Sequence, residues 1–230
     1  MWAIVVAGGT GRRFGGFKQF LPLAGVPVAS WSIRAACTVA DGVVLVVPSD
    51  ALPESDPSAV CDGGLPAPGA TGDAAFGATT VVAGGATRAA SVRAGLAAVP
   101  GDVGIIVIHD AARPLASPQL FASVVAAVRS GDAAGVIPVV PVSDTLKRVE
   151  DGIVVATVDR EGLVSVQTPQ AFVAEALRSA HRDGGEATDD AGLLEAAGLS
   201  VATVEGDLRN LKLTRPEDLV LAEALMAGAA

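Results

Sequence analysis

The pattern of the chain predicts an α/β protein: a Rossmann-like, mostly parallel sheet with helices on both faces and a protruding β-hairpin arm. Three observations lead there. Short β-branched runs alternate with alanine-rich helical stretches along most of the 230 residues. The runs are apolar at successive positions, the pattern of strands buried on both faces. An Asp-Gly pair also joins two further β-prone runs, a strong short-range hairpin signal.

In chain order, the strand runs are Ile4-Val5-Val6, Val43-Val44-Leu45-Val46-Val47, Thr79-Thr80-Val81-Val82, Ile105-Ile106-Val107-Ile108 and Val136-Ile137-Pro138-Val139-Val140. Helical patterns occupy residues 28–40, 88–99 behind a Thr87 cap, and 118–130, where Ser117 caps and Pro118 takes the first helical position. Strict alternation of this kind builds a parallel sheet. Residues 50–78, dense in Pro, Gly, Ala and Ser, read as a surface excursion. Residues 141–163 hold the arm, with runs from Thr145 to Val149 and from Ile153 to Val158 around Asp151-Gly152. Beyond it, helices are expected over residues 172–182 and 189–197, and strands near 201–204 and 211–213. Thr214 and Glu217 form a capping box for the last helix. The whole is expected to be one domain, residues 1–230.

Half of the residues are hydrophobic and 18% are charged, so the chain can bury a sizeable core. Sixteen Lys and Arg stand against 25 Asp and Glu, for a net charge of −9, which argues against a broad basic nucleic-acid surface. Cys37 and Cys61 form no CxxC pair, and two isolated histidines add no zinc constellation, so a cytoplasmic, zinc-free protein is expected. No signal peptide and no membrane segment are expected either, because the first apolar run is short and no later run approaches a membrane span.

Against this acidic background one basic, glycine-rich loop stands out: Ala7-Gly8-Gly9-Thr10-Gly11-Arg12-Arg13-Phe14-Gly15-Gly16-Phe17-Lys18. It leaves the carboxyl end of the first strand, where open α/β sheets bind ligands. Glycines let backbone N–H groups approach a phosphate, and three cations follow with no acid between them. A Walker loop would need Gly-Lys-Ser/Thr, and the dinucleotide fingerprint a third glycine at Phe14 with a helix opening at once. Neither condition is met, which leaves a triphosphate cradle or a solvated glycine turn.

Three further strand ends carry polar chemistry. His109-Asp110-Ala111-Ala112-Arg113-Pro114 places a carboxylate and a guanidinium beside the same crevice. Asp110 there suits a Mg²⁺ or a substrate hydroxyl, and Arg113 a phosphate, unless the two simply pair with each other. His109 reads as structural. Gly84-Gly85-Ala86-Thr87-Arg88-Ala89-Ala90-Ser91 offers backbone groups and a helix N-terminus to a base edge. Lys212, inside the apolar Leu211-Lys212-Leu213, either snorkels to solvent or faces an anion.

Taken together with Lys18-Gln19-Phe20-Leu21, Asp144-Thr145, Thr157-Val158-Asp159-Arg160, Gln167-Thr168-Pro169-Gln170 and Lys212-Leu213-Thr214-Arg215-Pro216-Glu217-Asp218, the loop and the His109 block form an ordered series. It resembles the 2-C-methyl-D-erythritol 4-phosphate cytidylyltransferase family of the non-mevalonate isoprenoid pathway. The resemblance runs from Ile4 to the last helix, apart from residues 50–78. It implies the nucleotidyltransferase fold and a reaction joining a polyol phosphate to the α-phosphorus of CTP, with Mg²⁺ as cofactor and pyrophosphate as product. It also implies catalytic roles for Arg13, Lys18 and Lys212. Ala7, Gly8, Gly9, Gly11, Gly85, Ser91 and Asp110 would meet the nucleotide. Asp110, Arg113, Thr145, Arg160, Thr168 and Thr188 would meet the acceptor, with Asp110 a metal contact. Thr145 and Arg160 would come from the arm of a partner subunit in a homodimer.

The chain departs from the family pattern at Ala86 and Ala90, where acidic residues are common, and at Phe17, where proline usually precedes the lysine. Thr188 also sits where a helix N-cap is expected. Two other readings of the series are a ribitol-5-phosphate cytidylyltransferase and a non-catalytic nucleotide-binding module on the same fold. Independently of the resemblance, the arm run from Ile153 to Val158 is apolar on both faces, so a ribbon leaving the sheet there needs a cover. A second copy of the chain supplies one.

Overall fold

The computed structural model describes residues 1–9, 14, 16–49, 79–182 and 184–228. The expected excursion at 50–78 lies outside them. In chain order the elements are β1 (Trp2–Val6), a 3₁₀ turn (Lys18–Phe20), β2 (Pro22–Leu23), β3 (Val26–Pro27), α1 (Val28–Cys37), β4 (Gly42–Val47), β5 (Thr79–Ala83), α2 (Arg88–Ala98), β6 (Ile105–Asp110) and α3 (Pro118–Ser130). There follow β7 (Gly135–Pro141), β8 (Leu146–Glu150), β9 (Ile153–Val158), β10 (Val164–Val166), β11 (Gln170–Val173), α4 (Ala174–Arg182), α5 (Asp190–Ala196), β12 (Val201–Glu205) and α6 (Glu217–Ala227).

An eight-stranded sheet runs β10-β7-β11-β6-β1-β4-β5, with β12 on the other edge of β7. β1 pairs in parallel with β4 and β6, and β4 with β5. Successive residues of these strands sort to opposite faces. Ala3, Val5, Leu45 and Val107 pack with Ile33 of α1 and Phe121 of α3. Ile4, Val44, Val46, Ile106 and Ile108 pack with Val92 of α2, Leu177 of α4 and Leu194 of α5. The continuous apolar runs are therefore the consequence of two covered faces.

Four expectations need correction. The helix expected over residues 172–182 begins only at Ala174, because Gln170–Val173 is a central strand, antiparallel to both β6 and β7. Its four residues are too few to show a period, and Phe172 is buried between neighbours on the α4 and α5 side. The sheet is thus mixed rather than wholly parallel along this part. Residues 211–213 form no strand; Leu213 makes one backbone bond, its N–H donating to Ala112 O at 2.8 Å. No side chain caps the last helix, whose N-cap position is Pro216, and the residue of its first turn that reaches back is Asp218 rather than Glu217. Asp218 Oδ2 accepts from Thr214 N at 2.6 Å, Thr214 Oγ1 at 2.9 Å and Arg215 N at 2.8 Å. Finally, Asp189, not Thr188, caps α5, accepting from Gly192 N at 3.0 Å.

The arm forms as the Asp-Gly pair predicts. β8 and β9 make a two-stranded antiparallel sheet of their own, and Asp151 and Gly152 take φ of 49° and 80°. Positive φ at both central residues is the requirement of a type I′ turn. Among the described residues, no helix is long and apolar enough to cross a membrane.

Candidate active site

At the carboxyl ends of β1 and β6 the chain opens two cavities that meet. The first, about 320 Å³, is lined by Ala7, Gly8, Gly9, Lys18, Gly85, Ala86 and Ser91. The second, about 410 Å³, is lined by Arg113, Thr168, Thr188, Asp189 and Glu195. Arg88, Asp110 and Lys212 line both.

The floor of the first cavity is set by close packing around Ser91. Its Oγ accepts from Gly85 N at 3.2 Å and donates to Thr87 O at 2.9 Å, fastening the β5–α2 turn to the first turn of the helix. A methyl on Gly84 would stand 2.9 Å from Ser91 Oγ, and one on Gly85 would stand 2.5 Å from Ala90 Cβ. Glycine is required at both, and the backbone edge of Gly85 is left bare toward the cavity. Opposite, buried Gln19 donates from Nε2 to Ala7 O at 2.8 Å, tying the 3₁₀ turn to the glycine loop. That turn presents Lys18, whose ammonium donates to Leu213 O and lies 6.0 Å from the Phe14 ring centroid. Arg13 and Gly11 lie outside the described residues.

At the junction, Lys212 Nζ is 2.6 Å from Asp110 Oδ2 and Arg88 Nε is 3.4 Å from Asp110 Oδ1. Lys212 thus faces an anion instead of snorkelling away. Burial alone would push the Asp110 carboxyl up, but Lys212 and Arg88 hold it well below the usual carboxylate range. The simple Asp110–Arg113 pair considered from sequence does not form. Arg113 instead donates to Asn210 O at 2.8 Å and Val166 O at 3.3 Å.

Beneath the junction lies a buried polar chain. Asp110 N donates to Thr168 Oγ1 at 3.0 Å, Thr168 Oγ1 is 3.0 Å from His109 Nδ1, and His109 Nε2 is 3.2 Å from Arg113 O. With its oxygen accepting from Asp110, Thr168 gives its hydrogen to Nδ1, leaving Nε2–H for the carbonyl. His109 is therefore a satisfied neutral ring, and burial pushes it down to about 4.

The two arm residues are not brought here by their own chain. Thr145 is exposed just before β8, and Arg160 donates to Val142 O at 3.2 Å and to Ser143 O, lining a separate hollow with Glu161 and Glu205. One residue of the junction escaped sequence reasoning. Arg88 lies in the Gly84 to Ser91 motif, but its partners come from other elements. The chemistry of the donor set bears on Mg²⁺. Among the described residues no group of three or more His, Cys, Asp and Glu could hold a metal ion, and Asp110 is the one carboxylate common to both cavities. That fits a Mg²⁺ carried mainly by substrate phosphates, with Asp110 as its protein anchor.

Residues 1–228 match the family described as 2-C-methyl-D-erythritol 4-phosphate cytidylyltransferase. The chain belongs to that family. A relative of that name from Cereibacter sphaeroides is 46% identical over 99% of this chain and 97% of its own length. Among solved structures, the 2-C-methyl-D-erythritol 4-phosphate cytidylyltransferase of Thermus thermophilus superposes with a TM-score of 0.76 at 36% identity, covering 98% of each chain. Another relative, the "Bifunctional enzyme IspD/IspF" of Nitratidesulfovibrio vulgaris, is 42% identical over 97% of this chain; the chain spans only 57% of that protein's length.

Proposed function

We propose that this chain transfers the cytidylyl group of CTP to 2-C-methyl-D-erythritol 4-phosphate. An oxygen of the acceptor phosphate bonds to the α-phosphorus of CTP, the bond from that phosphorus to the bridging oxygen breaks, and pyrophosphate leaves with the electron pair. The observation that carries the reading is the pair of cavities meeting at Lys212, Asp110 and Arg88, one floored by glycines and the other rimmed by Arg113, Thr168 and Thr188. Two phosphorylated substrates laid in them would have their phosphates converge there.

Phosphoryl-type transfer of this kind depends on alignment and charge neutralisation. Lys18 and Arg13 hold the triphosphate and the developing charge on phosphorus, and Lys212 meets them from the other side. The cytosine and ribose rest on Ala7, Gly8, Gly9, Gly11 and Gly85, with Ser91 fixing the turn. Because Ala86 and Ala90 supply no carboxylate, the base edge is read by backbone groups. Mg²⁺, anchored at Asp110, supplies neutralisation of the phosphate charge when bound. The acceptor is oriented by Arg113, Thr168 and Thr188, and by Thr145 and Arg160 from the arm of a second copy. The exposure of the arm's apolar side chains supports that homodimer: Ile153 is 70% exposed, Val154 57% and Val149 52%.

The deciding test incubates the protein and Mg²⁺ with each of the four NTPs and a panel of polyol phosphates that includes ribitol 5-phosphate, and follows pyrophosphate. The expected result is release from CTP only, dependent on the 2-C-methyl-D-erythritol 4-phosphate. Preference for another NTP, or release indifferent to the polyol, sinks the reading.

A further inference from the structure

Behind the junction runs a chain of charges that the transfer reaction as described does not use. Arg88 donates from Nη1 to Asp190 Oδ2 at 2.7 Å, while its Nε faces Asp110. Asp190 Oδ1 in turn lies 2.9 Å from His181 Nε2. The Asp190 and His181 side chains are 1% and 2% exposed. The chain ties β6, α2, α5 and α4 together, and Asp190 lines neither cavity.

Burying an ion pair of this kind is a weak source of stability, since desolvation offsets most of the attraction. What the network does provide is a fixed geometry along its bonded atoms, with Arg88 Nη2 and His181 Nδ1 left without a protein partner. A guanidinium is a planar fork whose nitrogens can address two carboxylates at set angles, which a flexible ammonium cannot do. Held from behind by Asp190, Arg88 stays in the shared wall of the two cavities, and its Nε marks where Asp110 Oδ1 must lie. The other oxygen is then left to Lys212.

We propose that Arg88 is a positioning residue of the transfer reaction: clamped by Asp190, which His181 orients, it fixes the Asp110 carboxylate at the meeting point of the two cavities. This rests on the reading that Asp110 serves the reaction there. The competing role is direct contact with substrate through Nη2, which is buried without a protein partner.

A kinetic cycle separates the two. Arg88→Met and Asp190→Asn are each expected to lower kcat by roughly tenfold with little change in KM for CTP, as for members of one coupled network. On an Asp110→Asn background, Arg88→Met should cost less than about a further twofold, and Asp190→Asn should have no effect once Arg88 is Met. Full additivity in either cycle overturns the proposal, because Arg88 then acts on substrate or Asp190 acts by another route. Thermal unfolding identifies any variant that fails to fold. Arg88→Lys, which keeps the charge but cannot bridge both carboxylates, then stands in for Arg88→Met with the same non-additivity expected. A crystal structure of the ligand-free variant needs no activity at all: Asp110 should turn away from its present orientation, and an unmoved carboxylate refutes the role. If the wild-type protein transfers no cytidylyl group, the proposed function fails, while this structural comparison still decides the place of Arg88.

Discussion

The floor of the candidate site and the arm are built on opposite terms. His109 and Asp110 sit at the end of a strand with neighbours on both sides, Thr168 lies in the bend before β11, and every polar atom in their chain of bonds is met from within the same chain. The arm is a two-stranded sheet pairing only with itself, with Ile153, Val154 and Val155 exposed. An isolated two-stranded ribbon is marginal in water, and an apolar one is a sticky edge. The first region is organised before any ligand arrives. The second leaves apolar side chains in the open, and it holds Thr145 and Arg160, which the proposed function assigns to the acceptor.

The largest effect should come from testing that division directly. Lys18→Ala and Arg160→Ala homodimers are each expected to lose roughly 10²- to 10³-fold in kcat, by analogy with removing one preorganised donor. Mixed under conditions of subunit exchange, half the dimers become hybrid, and each hybrid has one site with both lesions and one with neither. Activity should recover to about a quarter of wild type, the share set by random pairing of a twofold dimer. No recovery means that Arg160 serves its own chain and the two regions are independent.

How much of this was legible in the sequence follows the same line. The strands β1 and β4 to β7 could be read from their β-branched runs, wholly apolar and buried in β4 and weaker at the edge strand β5, where Thr79 and Thr80 stand. β11 could not, since four residues between β6 and β7 show no period and run straight into α4. The Asp-Gly turn and the apolar arm faces announced the hairpin. Asp110, Arg113 and Lys212 were found by their chemistry and Thr168 through the family resemblance, and the structure brings them together. Arg88 was not, because its partners lie 22 and 102 residues away and no local pattern signals them. The cap of α5 fell one residue away at Asp189, and the last helix has none, its Asp218 folding back instead on Thr214 and Arg215; neighbouring oxygens compete there and only backbone geometry chooses.

A second prediction sharpens the contrast between the buried floor and the exposed arm. His109 titrates near 4 when folded, against about 6.5 when unfolded. Between those values the unfolded chain binds a proton that the folded one refuses, so stability rises with pH across this window and falls by about 3 kcal/mol as pH drops through it. Asp110, held low by Lys212 and Arg88, contributes in the opposite range, since its stabilisation is lost only below the unfolded carboxylate value of about 3.8. The two windows are therefore separate. Urea unfolding of wild type and His109→Gln from about pH 7 to about pH 4 should show the variant's curve flatter by about 3 kcal/mol. Parallel curves would mean that His109 is solvated and that the floor is not preorganised as described.

The smallest effect divides two adjacent residues at the rim of the floor. Thr188 and Asp189 both line the second cavity, and the sequence places the cap of α5 at Thr188. The structure gives the cap to Asp189, which bonds Gly192 N through Oδ1 and accepts from Gln170 Nε2 at 2.8 Å through Oδ2. Asp189→Ala should therefore lower stability by about 1 kcal/mol through the cap alone, and further through the lost bond to Gln170. Thr188→Ala removes no bond of this kind and should leave unfolding unchanged within a few tenths of a kcal/mol. Its cost should fall instead on the acceptor, raising KM for the polyol phosphate by roughly tenfold, the worth of one hydrogen bond to a charged group, with KM for CTP untouched. Chemical unfolding and two-substrate kinetics on the pair read the two effects independently. If Thr188→Ala proves the destabilising change and leaves the acceptor KM alone, the residue is scaffold, and the rim of the acceptor cavity is carried by the arm of the second copy to a greater degree than the floor itself shows.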